Sequence, residues 1–179
     1  NHDIIGSLSR SEIALVKDGT ALWTDVVCGQ AIALAGTSAF SAVATSDGHV
    51  IIYTPAGRRI LAPIKIGPGV AILQAKKTKR SAGRLLTVST TGALKVIEIV
   101  DANSSNTMQS IKIVAESKLA SLLEGGGQSV KVIDVALSQE GTPMVSLSDA
   151  SSYIWHEGIG EWMKIADDTI ALSRFGPVL

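Results

Sequence analysis

Residues 40–64 read FSAVATSDGHVIIYTPAGRRILAPI, and the fold is decided by how this stretch is read. Two short alternating apolar runs, 41–45 and 49–53, are joined by Asp47-Gly48. Asp-Gly between alternating hydrophobics is a strong hairpin signal, because Gly reaches positive φ without a Cβ clash. A second turn, Pro55-Ala56-Gly57, leads into a run at 58–64 that reads as an outer strand. Strand, tight turn, strand, turn, outer strand is the layout of one antiparallel propeller blade.

Working outward, the same layout recurs. On the N-terminal side, 12–16, Lys17-Asp18-Gly19 and 21–27 read as a hairpin, with Trp23 as a core or outer-strand residue. The run AIALA at 31–35 carries no charge, as an inner strand buried on both faces would. On the C-terminal side, Gly67-Pro68-Gly69 punctuates the chain, and strands resume at 70–74, 84–89 and 93–100. Residues 101–106 read as a polar loop and 108–114 as an outer strand. At 115–124 (AESKLASLLE) the period changes. Leu119, Leu122 and Leu123 fall at i, i+3 and i+4, which predicts a short amphipathic helix stopped by Gly125-Gly126-Gly127. Strands return at 130–137, 142–147, 152–156 and 162–166.

The predicted fold is therefore mainly β. It comprises about three and a half WD-like propeller blades in an incomplete ring, with a short helical insert. As one domain it divides into a partial blade at 1–30, blades at 31–66 and 67–114, helix plus blade at 115–168, and a tail at 169–179 that reads as discontinuous. Propellers typically close with about four to eight blades, so the ring is open. A bare apolar strand edge templates pairing, so further blades or another chain are expected to cover it.

Composition narrows the function. The 179 residues are 46% hydrophobic and 18% charged, which excludes a disordered chain. Sixteen basic residues balance sixteen acidic ones, so no global field draws the chain to nucleic acid or a membrane surface. Cys28 is the single cysteine and reads as a small buried hydrophobe in a reducing compartment. No apolar run approaches the ~18 residues of a membrane span, and no signal peptide opens the sequence. Asn1 in place of an initiator Met suggests a fragment of something longer.

Little in the sequence points to chemistry. His2, His49 and His156 are scattered, without Cys or carboxylates at metal-ligand spacing, so no metal, cofactor or catalytic group is expected. Gly125-Gly126-Gly127-Gln128-Ser129 follows a helix-like pattern instead of opening one, and reads as a cap and linker, not a phosphate loop. Lys76, Lys77, Lys79 and Arg80 form the concentrated charge run. They are either a basic contact, which would make the chain a nucleic-acid-binding module, or a solvated loop without interleaved aromatics. Trp155 and Trp162 are candidate interface anchors, or strand residues filling space between blades.

Two further motifs carry a resemblance. AGRRILAPI at 56–64 resembles the CGRRLLPPI segment of the HIRA/Hir histone-chaperone family, and LSQEGTPMVSLSD at 137–149 resembles that family's L-x-Q-x-G-x-P-x-x-x-L-S-D. SKLASLL at 117–123 matches the helix that precedes it, and similarity runs over about 22–168. The stretch corresponds to the C-terminal region of those proteins, called Hira or TUP1-like enhancer of split, and is closer in character to fungal than to animal members. The resemblance implies a nuclear, non-enzymatic scaffold and chromatin regulator, active in replication-independent nucleosome assembly and transcriptional repression. It implies self-association as a trimer, or pairing with a paralogous Hir subunit. It also implies binding of the large helical-repeat subunit of the complex, with histones reached indirectly and neither membrane nor direct DNA contact. Ile97 and Glu98 stand where animal members carry a Trp-Asp pair tied to self-association, so the carboxylate is kept and the aromatic lost. Ile97 is then an anchor, or it packs inside its own blade. Residues near Phe175-Gly176 stand where the family places a long linker.

Overall fold

The computed structural model describes residues 9–79, 81–100, 110–124 and 130–167. A two-stranded sheet, β1 (Arg10–Lys17) with β2 (Thr20–Cys28), precedes three four-stranded antiparallel sheets. The first contains β3 (Ala31–Gly36), β4 (Ser41–Thr45), β5 (His49–Tyr53) and β6 (Ile64–Lys65). The second contains β7 (Val70–Lys76), β8 (Gly83–Ser89), β9 (Ala93–Val100) and β10 (Ser110–Lys118). The third contains β11 (Val132–Leu137), β12 (Pro143–Leu147), β13 (Ser152–His156) and β14 (Glu161–Ala166). Every four-stranded sheet is a meander in sequence order, and β7 lies against both β3 and β11. The sheets are thus arrayed as consecutive blades with their first strands on one side.

The core lies between the sheets, as it must when each face is an apolar surface of period two. Val27, Val43, Ile51 and Tyr53 fill the junction of the hairpin with the first sheet. Ala42, Ile52, Leu85, Ile97 and Ile99 fill the next junction, and Leu86, Val96, Val135, Val145 and Trp155 the last. Gly48, at φ +84°, sits where an added Cβ would overlap the Gly67 carbonyl. The Asp47-Gly48 turn can therefore nest against the linker to β7, and Ile66 N donates to Gly48 O at 2.9 Å.

Four expectations are corrected. The amphipathic helix at 115–124 begins as strand: Ala115, Glu116, Ser117 and Lys118 pair with Val96, Lys95, Leu94 and Ala93. Only a single 3-10 turn, Leu119–Leu122, remains. The outer edge of β9 offers a backbone ladder that a helix could not use, and Leu119 still reaches the core from the turn. The outer strand expected at 58–64 shrinks to Ile64–Lys65, since Pro63 cannot donate to a ladder. The charge-free run in β3 is half-buried on one face and bare on the other, with Ile32 and Leu34 exposed. Cys28 is exposed, not buried, at the end of β2. The expected loop at 101–106, the start of the outer strand at 108–109, the glycine linker at 125–129, His2, Arg80 and the tail at 169–179 lie outside the described residues.

Candidate interaction surfaces

The AGRR segment closes the first junction. Trp23 of β2 stacks on Tyr53 with ring centroids 5.1 Å apart, and its indole N–H donates to Pro55 O at 3.2 Å. Tyr53 donates its hydroxyl to Asp25 Oδ2 at 2.9 Å, and Arg59 donates Nε to the same oxygen at 2.8 Å. Arg59 also reaches Val26 O at 3.1 Å, so one side chain ties the first sheet to the hairpin. Burial alone would raise the Asp25 carboxyl, but hydrogen bonds from Arg59 and Tyr53 outweigh it and hold it below its ordinary value. Burial, reinforced by the Asp25 hydrogen bond, pushes the Tyr53 phenol up to about 12. Arg58 is exposed beside it.

A second brace joins the last two sheets. Arg84, with its side chain 11% exposed, donates to Glu98 at 3.4 Å, to Glu157 and to Gly141 O. Glu98 is therefore spent on an internal ion pair, and Ile97, 2% exposed, packs between the first and second sheets. Trp155 packs against the second sheet with its indole N–H unpartnered among the described residues. Trp162 meets it edge-on at 5.3 Å and donates to Ser117 Oγ at 2.9 Å. These two aromatics face the neighbouring sheet, and Trp162 remains half-buried.

The basic run is dispersed. Lys76 ends β7 opposite Arg84, Lys77 is exposed, and Lys79 lies 3.8 Å from Glu140 with both side chains largely in solvent. An exposed pair of that kind contributes little. Asp47 accepts from Thr45 Oγ1 at 2.5 Å and pairs with His49 Nδ1 at 2.8 Å, in a cleft of about 250 Å³ shared with Cys28 and Arg59. The Thr45 hydrogen bond lowers the Asp47 carboxyl most, with His49 adding to it. These bonds brace the β4–β5 turn. No group of three or more His, Cys, Asp or Glu that could hold a metal occurs among the described residues.

The distinctive surface is apolar and lies at the two ends of the array. On the third sheet, Ala136, Met144, Ile154 and Met163 stand side by side in register, on the face opposite Val135, Val145 and Trp155. Met163 is 40% and the nearby Ile133 69% exposed. At the other end, β1, β3 and β4 line a groove of about 710 Å³. The methionine row escaped the sequence reading, although the alternation in β12 and β13 places it. The Asp25–Tyr53–Arg59 brace carried no local signal, because its members come from three separate segments.

Residues 57–176 match the family described as Hira, TUP1-like enhancer of split. Among curated relatives, Protein HIRA of Zea mays is 28% identical over 96% of this chain, and Protein HIRA of Homo sapiens 21% identical over 96%. The chain spans 17% of the maize protein and 15% of the human one. Among solved structures, HIRA(644-1017) superposes with a TM-score of 0.68 at 22% identity, covering 93% of this chain and 49% of that one. The β-propeller domain of Cps50 (Swd1) from Myceliophteria thermophila gives a TM-score of 0.52 at 16% identity, covering 76% and 40%. These likenesses make the sheets propeller blades.

Proposed function

Because the chain belongs to the Hira family, we propose that it is a non-enzymatic assembly module of a HIRA/Hir-type histone chaperone complex. It works in the nucleus, in replication-independent nucleosome assembly and transcriptional repression. It self-associates as a trimer, or pairs with a paralogous Hir subunit, and it holds the large helical-repeat subunit. Histones are reached through the complex.

The observation that supports this reading best is the apolar row Ala136–Met144–Ile154–Met163, with Ile133 exposed at the irregularity earlier in β11. An apolar sheet face in register is the surface a protein partner covers, and each large side chain buried there contributes roughly 1.5–3 kcal/mol. Methionine suits such a contact because its unbranched thioether fills irregular gaps. Trp162 is the candidate anchor with surface left to offer. Ile97, Glu98 and Trp155 serve by holding together the sheets that carry it.

Light scattering at tens of micromolar tests the reading. The wild type is expected to be oligomeric and Met163→Asp with Ile133→Asp monomeric; a monomeric wild type removes the self-association. Charge reversal at Lys76, Lys77, Lys79 and Arg80 is expected to leave the oligomer intact. DNA binding that falls steeply with salt and disappears in that variant would favour a nucleic-acid module instead.

A further inference from the structure

We infer that the groove along β1 and β3 is the seat of two further strands, supplied by the polypeptide that flanks these residues in the whole protein, which complete the hairpin as a four-stranded blade. The inference is independent of the assembly reading above.

Topology assigns the position. In the four-stranded sheets, the last strand leads to the first strand of the next: β6 to β7 and β10 to β11. β2 leads through Gly29-Gln30 into β3, so β2 stands in the fourth position and β1 in the third. Positions one and two of that blade are then unfilled among the described residues, and they belong on the edge of β1 away from β2. Among the described residues that edge has no partner. The groove of about 710 Å³ lies along it, lined by Ile13 and Leu15 of β1 and by Ile32 and Leu34 of β3.

Burial points to the same place by an independent route. Leu34, Val43 and Ile51 are opposite one another on adjacent strands of the first sheet, and so share one face. Their exposures are 71%, 2% and 3%. The face is covered over β4 and β5, where Ile13, Trp23 and Val27 reach, and bare over β3, where the first strand of the preceding blade would lie. At the next junction that gap does not exist: Ala33 and Ala35 of β3 meet Leu73 and Ala75 of β7 in the core. A strand edge and an apolar face left open together, on either side of one groove, call for β-structure with one apolar face and not a helix or a small molecule.

The length of chain outside these residues supplies the occupant. The match covers 49% of the solved HIRA segment, so about half of that segment lies outside the shared portion. A hairpin on the scale of residues 31–45, about fifteen residues, fills the two positions. A second copy of the chain is less suited, because it would bring only edge strands already paired on one side, such as β1, and not a free hairpin.

Thiol labelling of the whole protein in a Cys28→Ser background, read by mass spectrometry on the peptide that carries each introduced cysteine, tests this. Leu34→Cys is expected to react about 100-fold or more slowly than the exposed control Lys77→Cys, in samples that light scattering shows to be monomeric. Equal reactivity overturns the proposal. Protection that is lost on dilution to monomer also overturns it, in favour of a second copy. Hydrogen exchange on the β1 segment separates strand pairing from simple cover. Its amides are expected to be as protected as those of the central strand β4, and protection of β2-facing amides alone would rule out added strands. Failure of self-association leaves these readouts unaffected.

Discussion

Gly57→Ala is the sharpest test of how the AGRR segment works. Gly57 has φ +82°, and an added Cβ would lie 2.5 Å from Trp23 Cγ and 2.8 Å from Cβ and Cδ2 of the same residue. The substitution thus carries two costs, one in the backbone and one in packing. Gly19→Ala separates them, because Gly19 has φ +78° with nothing within 4 Å of its added Cβ. Left-handed backbone costs a residue with a side chain about 1.5 kcal/mol, which is the whole expected effect at Gly19. At Gly57 the indole must also leave Tyr53 and Pro55 O, adding about 2 kcal/mol as overpacking does. With about 3 °C per kcal/mol for a chain of this size, Tm is expected to fall by about 5 °C for Gly19→Ala and about 10 °C for Gly57→Ala. Near-ultraviolet circular dichroism, which reads the Trp23–Tyr53 stack, should change for Gly57→Ala alone. Equal losses within about 0.5 kcal/mol, with an unchanged aromatic band, would refute the wedge.

Four other outcomes follow from contacts that tie the sheets together. Tyr53, with its folded pKa raised from 10.0 to about 12, contributes stability that is complete below pH 10 and lost as pH rises toward 12, about 2–3 kcal/mol; urea titrations of Tyr53→Phe should lack that slope. Asp25 is lowered from 3.8, so its contribution holds above that value and is lost as pH falls through the folded pKa; Asp25→Asn should flatten the acid limb. Gln74→Ala strips the acceptor from the Leu137 N–H, 2.7 Å from Gln74 Oε1, and should cost about 1–3 kcal/mol in the urea midpoint. Arg84→Met strands Glu98 and should cost about 3 kcal/mol by the same measurement, with Glu98→Leu added to it recovering part of the loss.

Much of the fold was legible in sequence because strands advertise themselves locally. The runs at 41–45, 49–53 and 93–100 coincide with β4, β5 and β9, since alternation and Asp-Gly or Thr-Gly turns act within a few residues. The miss at 115–124 has a physical cause. Leucines at 119, 122 and 123 have helical spacing, but pairing to β9 is a long-range choice that local periodicity does not report. The same limit hid the candidate surfaces. Whether Ile97, Trp155 or Trp162 faces a partner or a neighbouring sheet depends on which sheet lies opposite, and each lies against one.

The stretch 40–64 illustrates the division. From the residues alone it is readable that the stretch forms a hairpin and carries AGRRILAPI, which resembles a segment of the Hira family, because turn chemistry and motif are written in adjacent residues. Only the tertiary structure decided that Gly57 makes room for Trp23, that Arg59 and Tyr53 meet on Asp25, and that Leu34 lies bare while Val43 beside it is covered. Those facts depend on which faces meet, and sheets meet through contacts between residues far apart in the chain.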